Sequence, residues 1–407
     1  MASRDLERFF ALLPTSEYQR GIALFDQLVK DPSNAGPILL ELAKVASAHD
    51  DPQLRSPHGL LTVQSGRDLL RLTRPPAGLP LLRYLVLYNF TLRKRPLTLA
   101  QAEAAARSIP QGPLPEMAAA YRKAVSGSLG GKAAALLGRI ALDHGFEAAA
   151  HVALRSSLDD LGRLGHNLIL ATAYVEVAGA LGPPAGLLPL MHLAHLQGFA
   201  LAGTPPVVVP PREGPGEGEP DVDLLDQLLE EEAFDRIEAV LQALAFEGQA
   251  EEAYRPLLIA ASADSGFLGH TLSLVHSARL ASRYLTPSEN TFLSWKLYRT
   301  LTSRFGYPEF LRLGEPTVVD QEAILAALEA SLRFRSPPAE TTVRQALEAG
   351  IPLEAILAKV VDAYGYWTVG EKEHTIAYLN AALQTAKFLG REQALLPLAM
   401  ALSKLPF

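Results

Sequence analysis

Along most of the chain, apolar residues recur three and four positions apart in windows of roughly ten to eighteen residues, the spacing that lines one face of an α-helix. Alternating β-branched runs are almost absent. The one strand-like stretch, PVVVP at 206–210, is bracketed by prolines that cannot donate to a sheet ladder. The pattern predicts an all-α fold. It breaks only at GTPPVVVPPREGPGEGEP, Gly203–Pro220, whose prolines and glycines cannot sustain a helix, so this stretch reads as an extended linker or surface excursion.

The periodic segments repeat. At a constant offset of 212, His58 answers His270, Leu60 Leu272, Val63 Val275, Ser65 Ser277, Arg67 Arg279 and Arg71 Arg283, and Pro75, Leu81, Leu85 and Pro96 meet Pro287, Leu293, Leu297 and Pro308. Ten identities in 39 ungapped positions is several times the chance rate. A second pair begins at His166 and His374, offset 208, and ends in the shared LLPL at 187–190 and 395–398. The two frames nearly coincide, which implies a duplicated half of about 200 residues made of two older units. The expected organisation is an N-terminal half at 1–202, the linker at 203–220 and a C-terminal half at 221–407. The halves are expected to pack as one globule about a pseudo-twofold axis, as a four-unit helical repeat.

Each of the four units opens one helix with a histidine: His58, His166, His270 or His374. Seven residues on, nearly two turns and so on the same face, stand Ser65, Ala173, Ser277 and Ala381. A histidine followed by a small residue suits a helix whose start lines a shared space and whose middle approaches another backbone closely. The positive end of a helix disfavours imidazolium, which predicts neutral rings able to ligate a metal, accept a proton or donate one hydrogen bond. The competing reading is structural, a cap or joint copied by duplication, although Ser, Thr, Asp and Asn cap helices better. If the units converge, the four rings face a single cavity.

Other histidines do not repeat. His192 and His195 share a helical face three residues apart and are candidate metal ligands. His276, six after His270, lies on another side of its helix, and its counterpart is Gln64. His49, His144 and His151 read as ordinary surface or joint residues. Asp68 and Glu176, ten after their histidines, are about 15 Å further along the helix and can meet a histidine only from another unit. SGSLGGKAAA, from Ser126, imitates a phosphate loop but lacks the first glycine, offers Ala133 where a hydroxyl is needed, and follows no strand.

Composition narrows the chemistry further. None of the 407 residues is cysteine, which excludes disulfides, thiolate metal sites and cysteine nucleophiles, and favours a cytoplasmic setting. The net charge of −7 is dispersed, with no basic stripe to grip nucleic acid. The start, MASRDLERFF, carries charges where a signal peptide needs an apolar run, and no stretch is long and apolar enough to predict a membrane span.

Two segments resemble the questin oxidase-like family of large α-helical proteins. In HTLSLVHSARLASRYL at 270–285, His270, His276 and Arg279 match that family's histidine-led helix, and in KEHTIAYLNAAL at 372–383, Glu373, His374 and Ile376 match its acidic-His segment. Tyr378 and Asn380 depart from the motif's continuation, and the first unit has one histidine, His58, where the family tends to have two. The resemblance implies an oxidoreductase that inserts oxygen beside a ring carbonyl of an aromatic, polycyclic or quinone-type ketone. With the repeat added, His58, His166, His270 and His374 would line its apolar pocket with His276 nearby as the catalytic residues, and a reductant such as NADPH is one cofactor option beside a histidine-bound metal or haem. The chain has no recognisable dinucleotide fingerprint for that reductant. The alternatives are a helical protein holding a metal or haem through its histidines, His192 and His195 included, and a non-catalytic helical-repeat scaffold. The first two readings expect a hydrophobic or aromatic small-molecule partner or a bound cofactor.

Overall fold

The computed structural model describes residues 2–47, 49–50, 58–73, 77–94, 98–264, 269–301, 313, 320–334, 338–366 and 372–404. Of the aligned positions, Pro75, Pro96, Pro308 and Glu373's side chain lie outside what is described. The chain is all-α. It runs through α1 (Ala2–Leu12), α2 (Tyr18–Leu28), α3 (Ala35–Ala46), α4 (His58–Leu70) and α5 (Leu79–Thr91). Then come α6 (Leu99–Arg107), α7 (Leu114–Ser126), α8 (Gly130–His144), α9 (Phe146–Ser157), α10 (His166–Leu181) and α11 (Leu187–Ala200). After the Pro/Gly-rich segment follow α12 (Val222–Glu230), α13 (Phe234–Phe246), α14 (Arg255–Ala263), α15 (His270–Ala281) and α16 (Pro287–Leu301). The last are α17 (Gln321–Phe334), α18 (Ala339–Glu348), α19 (Leu353–Tyr366), α20 (Lys372–Leu389) and α21 (Leu395–Lys404). Among the described residues the only strand pairing is two residues long, with His49 opposite Lys94 and Asp50 opposite Arg93. No described helix is long and apolar enough to cross a membrane.

Two compact units divide the chain, and the division is not the midpoint split expected at 203–220. One unit is Met1–Pro96 with Phe267–Gly269 and Pro308–Phe407; the other is Leu97–Gly266 with His270–Tyr307. The outer quarters of the chain therefore pack together, as do the inner quarters. In the outer unit α4 lies against α20, α5 against α19, and α18 against α21 and α17. In the inner unit α8 is the hub, packed on α11, α7, α9 and α6, while α10 packs on α11 and α15, and α13 on α16.

Helix ends follow local chemistry. Thr98 accepts from the Gln101 amide while the Gln101 side chain takes the Thr98 amide, a reciprocal cap on α6. Asp221 caps α12 through the amides of Asp223 and Leu224. Thr286 and Glu289 do the same at α16, with the Thr286 amide 2.9 Å from Glu289 Oε2. The α8–α11 contact is built on glycine: a Cβ at Gly198 would lie 2.6 Å from Gly130 Cα. At the other end of α11, Leu187, Leu188 and Met191 form a buried apolar cluster with Ala102 of α6.

The segment 203–220 is an extended strap within the inner unit, not a spacer between units. Asp159 Oδ1 accepts from the Val207 amide at 3.0 Å, from Arg122 at 2.6 Å and from Arg155 at 3.1 Å, and Arg155 also donates to the Val207 carbonyl at 2.7 Å. Further along, the Arg212 amide donates to Ser288 Oγ at 3.0 Å, its guanidinium pairs with Gln242 and Glu238, and Gln242 donates to the Gly214 carbonyl. Prolines forbid a helix here, and side chains from α9, the turn after it, α13 and α16 satisfy backbone groups that a helix would have paired within itself.

Candidate functional site: paired histidines

In the inner unit, His166 and His270 each open a helix after the same two residues, in LGH at 164–166 and 268–270. Gly165 and Gly269 have φ of 81° and 73°, a left-handed conformation that suits glycine and turns the chain into the helix. A Cβ at Gly165 would lie 2.7 Å from the Leu274 side chain, so the missing side chain also lets α10 and α15 come together. The result is a ring pair. His166 Nε2 and His270 Nε2 are 3.3 Å apart, with centroids at 4.8 Å and planes tilted by 56°.

The outer unit holds the matching pair. His58, first residue of α4, and His374, in the first turn of α20, have ring centroids 4.7 Å apart and the same 56° tilt. His58 and His270 are buried and His166 and His374 are half-buried. Each pair therefore joins a helix from one half of the sequence to a helix from the other, His58 with His374 and His166 with His270.

The small residues seven positions on are buried on helices that pack together. Ala173 on α10 and Ser277 on α15 are buried, and Thr172 Oγ1 donates to the Ser277 carbonyl at 3.3 Å, a side chain reaching the neighbouring backbone directly. Ser65 and Ala381 are likewise buried on the contacting helices α4 and α20.

His276 lies apart in character. It is buried on α15, its Nδ1 meets no hydrogen-bond partner among the described residues, and its pKa is pushed down to about 3 by burial and then by the charges of Arg279 and Arg283. It is a neutral imidazole at any physiological pH. Arg279 donates to Glu251 at 2.7 Å and Arg283 to Glu176 at 2.7 Å. Burial also holds the Arg279 guanidinium below its ordinary value, with Glu251 opposing that shift. On α4, the counterpart Gln64 occupies the aligned position and accepts from Arg67 at 3.1 Å, while donating to Asp68 at 2.8 Å. Glu176 and Asp68 thus engage Arg283 and, in turn, Gln64 and Arg71.

The remaining candidates have separate surroundings. Buried His192 Nδ1 lies 3.2 Å from the Tyr174 hydroxyl, with the two rings edge to face. Half-buried His195 packs its ring on Phe199 at 5.2 Å. Shared helical face notwithstanding, the structure gives these two histidines different neighbours. His144 Nε2 is 3.0 Å from the Gly112 carbonyl, an ordinary joint contact. His151 Nε2 is 2.9 Å from Glu289 Oε2 and belongs to the strap's charge network. Burial favours the neutral form of Glu289, but hydrogen bonds from His151 and Thr286 outweigh it and hold this carboxyl below the usual range.

The periodic pattern did not announce which histidine meets which. The repeated LGH was the available signal for the inner pair, because glycine in a left-handed turn fixes where the following ring points. Comparison with protein-family models, with curated proteins and with solved structures finds no match to this chain.

Proposed function

We propose that the chain is an oxidoreductase whose paired histidines hold a transition-metal ion, and that it inserts oxygen beside the ring carbonyl of an aromatic, polycyclic or quinone-type ketone. The observation that carries the metal reading is the 3.3 Å between His166 Nε2 and His270 Nε2. Two imidazole nitrogens bound at about 2.0–2.1 Å to one tetrahedral ion stand roughly 3.3–3.4 Å apart. One ring nitrogen of His58 and one of His374 also lie within 4.8 Å of each other.

Imidazole suits zinc, copper, iron and nickel, and of these copper and iron supply redox chemistry with oxygen. The family resemblance supports the substrate class and the reaction. In that reaction one atom of dioxygen enters the ring, the other leaves as water, and two electrons come from a reductant such as NADPH. The cysteine-free composition supports a cytoplasmic setting in which such a reductant is available.

The test starts from protein purified without a histidine tag and reconstituted with Fe(II), Cu(II) or Zn(II). Elemental analysis is expected to give at least one equivalent of metal, lost in His166→Gln with His270→Gln. A metal content well below one equivalent after reconstitution removes the metal and leaves the pairs as structural joints. Turnover of an anthraquinone and aromatic-ketone library under oxygen that survives substitution of all four histidines by Gln removes them from the chemistry.

A further inference from the structure

A pocket of about 240 Å³ opens in the inner unit, between the end of α8, the start of α9, the last turn of α10 and the start of α11. Its wall is almost wholly apolar: Leu142, Phe146, Ala178, Pro184 and Leu187 contribute, and no ionisable side chain lines it. Leu142 and the turn prolines Pro183 and Pro184 are exposed at its mouth. Gly179 leaves the space open. It is exposed on α10, and a Cβ there would already sit 3.2 Å from the Phe146 ring.

The aligned segment in the outer unit follows a similar turn with different side chains. α10 and α20 both end at a glycine with positive φ and extended ψ, Gly182 (62°, 174°) and Gly390 (80°, 174°), and both turns lead into LLPL. At offset 208, however, Gly179 becomes Lys387, Pro183 becomes Arg391 and Pro184 becomes Glu392. Arg391 donates through Nε to the Leu347 carbonyl at 3.1 Å and through Nη2 to the same oxygen, so that turn is spent on tying down α18. The same helix–turn–helix is charged and engaged in one place and bare, apolar and concave in the other. Leaving such a surface in water costs about 25 cal/mol per Å² of apolar area, which a fitting ligand recovers.

We infer that this pocket is a binding site for a small neutral apolar molecule of bicyclic size. An apolar cavity of about 150 Å³ takes up benzene, and scaling by volume gives room for roughly ten carbons. Phe146 supplies a ring for edge or face contact. With no charged or strongly polar group in the wall, the site discriminates against anions and cations through the cost of desolvating them. Gly179 lies thirteen residues beyond His166 on α10, about 20 Å by the helical rise, so the site is distinct from the histidine pair and does not rest on the metal reading.

The test uses the full chain with naphthalene, followed by saturation-transfer NMR and calorimetry, and naphthalene-2-sulfonate as the charged control. Two variants fill the pocket: Gly179→Lys, which copies the aligned residue at an exposed helical position, and Ala141→Phe from the α8 side. Thermal unfolding identifies which variants are folded. Saturable naphthalene binding to the wild type, at least tenfold weaker in each folded variant and at least tenfold weaker for the sulfonate, is the expected result. No saturable binding to the wild type, an unchanged affinity in a folded variant, or equal binding of the sulfonate overturns the inference.

Discussion

His276 offers a direct measure of how strongly the α15 interior resists charge. In the unfolded chain a histidine titrates near 6.5, whereas burial beside Arg279 and Arg283 lowers it to about 3 in the folded protein. Between those values the unfolded state binds the proton and the folded state does not, so stability falls as pH falls through this window. From pH 7 to pH 5 the loss is about 2 kcal/mol from this side chain alone. His276→Gln removes the titration while keeping a neutral hydrogen-bonding group, and Gln64 shows on α4 that an amide at the aligned position accepts from the neighbouring arginine. Urea unfolding of both proteins at pH 7 and pH 5, followed by far-ultraviolet circular dichroism, should show the wild type losing about 2 kcal/mol more than the variant. An equal loss in the two proteins would refute the assignment of His276 as a desolvated neutral group, and with it any role as a base poised by burial.

Packing and charge give two more outcomes. Gly198→Ala places a methyl 2.6 Å from Gly130 Cα, where backbone cannot yield, so α8 and α11 must separate; a loss of about 1–3 kcal/mol in chemical unfolding is expected, and no loss would mean the helices are not held at that distance. Asp159→Ala strips the carboxylate that holds Arg122, Arg155 and the Val207 amide, while Arg155 keeps its ion pair with Glu289 at 3.1 Å; a loss on the order of 1–3 kcal/mol and faster tryptic cleavage after Arg212 are expected, against a change under about 0.5 kcal/mol for exposed Asp5→Ala. Unchanged cleavage in Asp159→Ala would show that the strap is held by something other than this charge cluster.

The sequence read as all-α because helical burial leaves a local trace: apolar residues three and four apart, and terminators such as Gly145, Gly182 and Gly390 where the chain must turn with positive φ. The histidine starts were legible for the same reason, since His58, His166 and His270 begin their helices and the small residues seven on sit at helix contacts. The role of 203–220 was less so. Its prolines forbid a helix, but nothing local says that Asp159 and Ser288, 48 and 76 residues away from Val207 and Arg212, will pair with its backbone.

What the chain by itself determined is therefore whatever depends on neighbours within two turns: helix, cap, turn and the face on which each imidazole stands. What only the tertiary structure decided is the partnership. Outer quarter packs with outer quarter and inner with inner, so His58 meets His374 and His166 meets His270, and the turn at 182–186 frames an apolar pocket while its aligned counterpart is tied to α18. The physical reason is that helix pairing is settled by the fit of whole buried faces. Apolar periodicity specifies that a face must be buried, yet many faces with the same periodicity are chemically interchangeable until their side chains interlock.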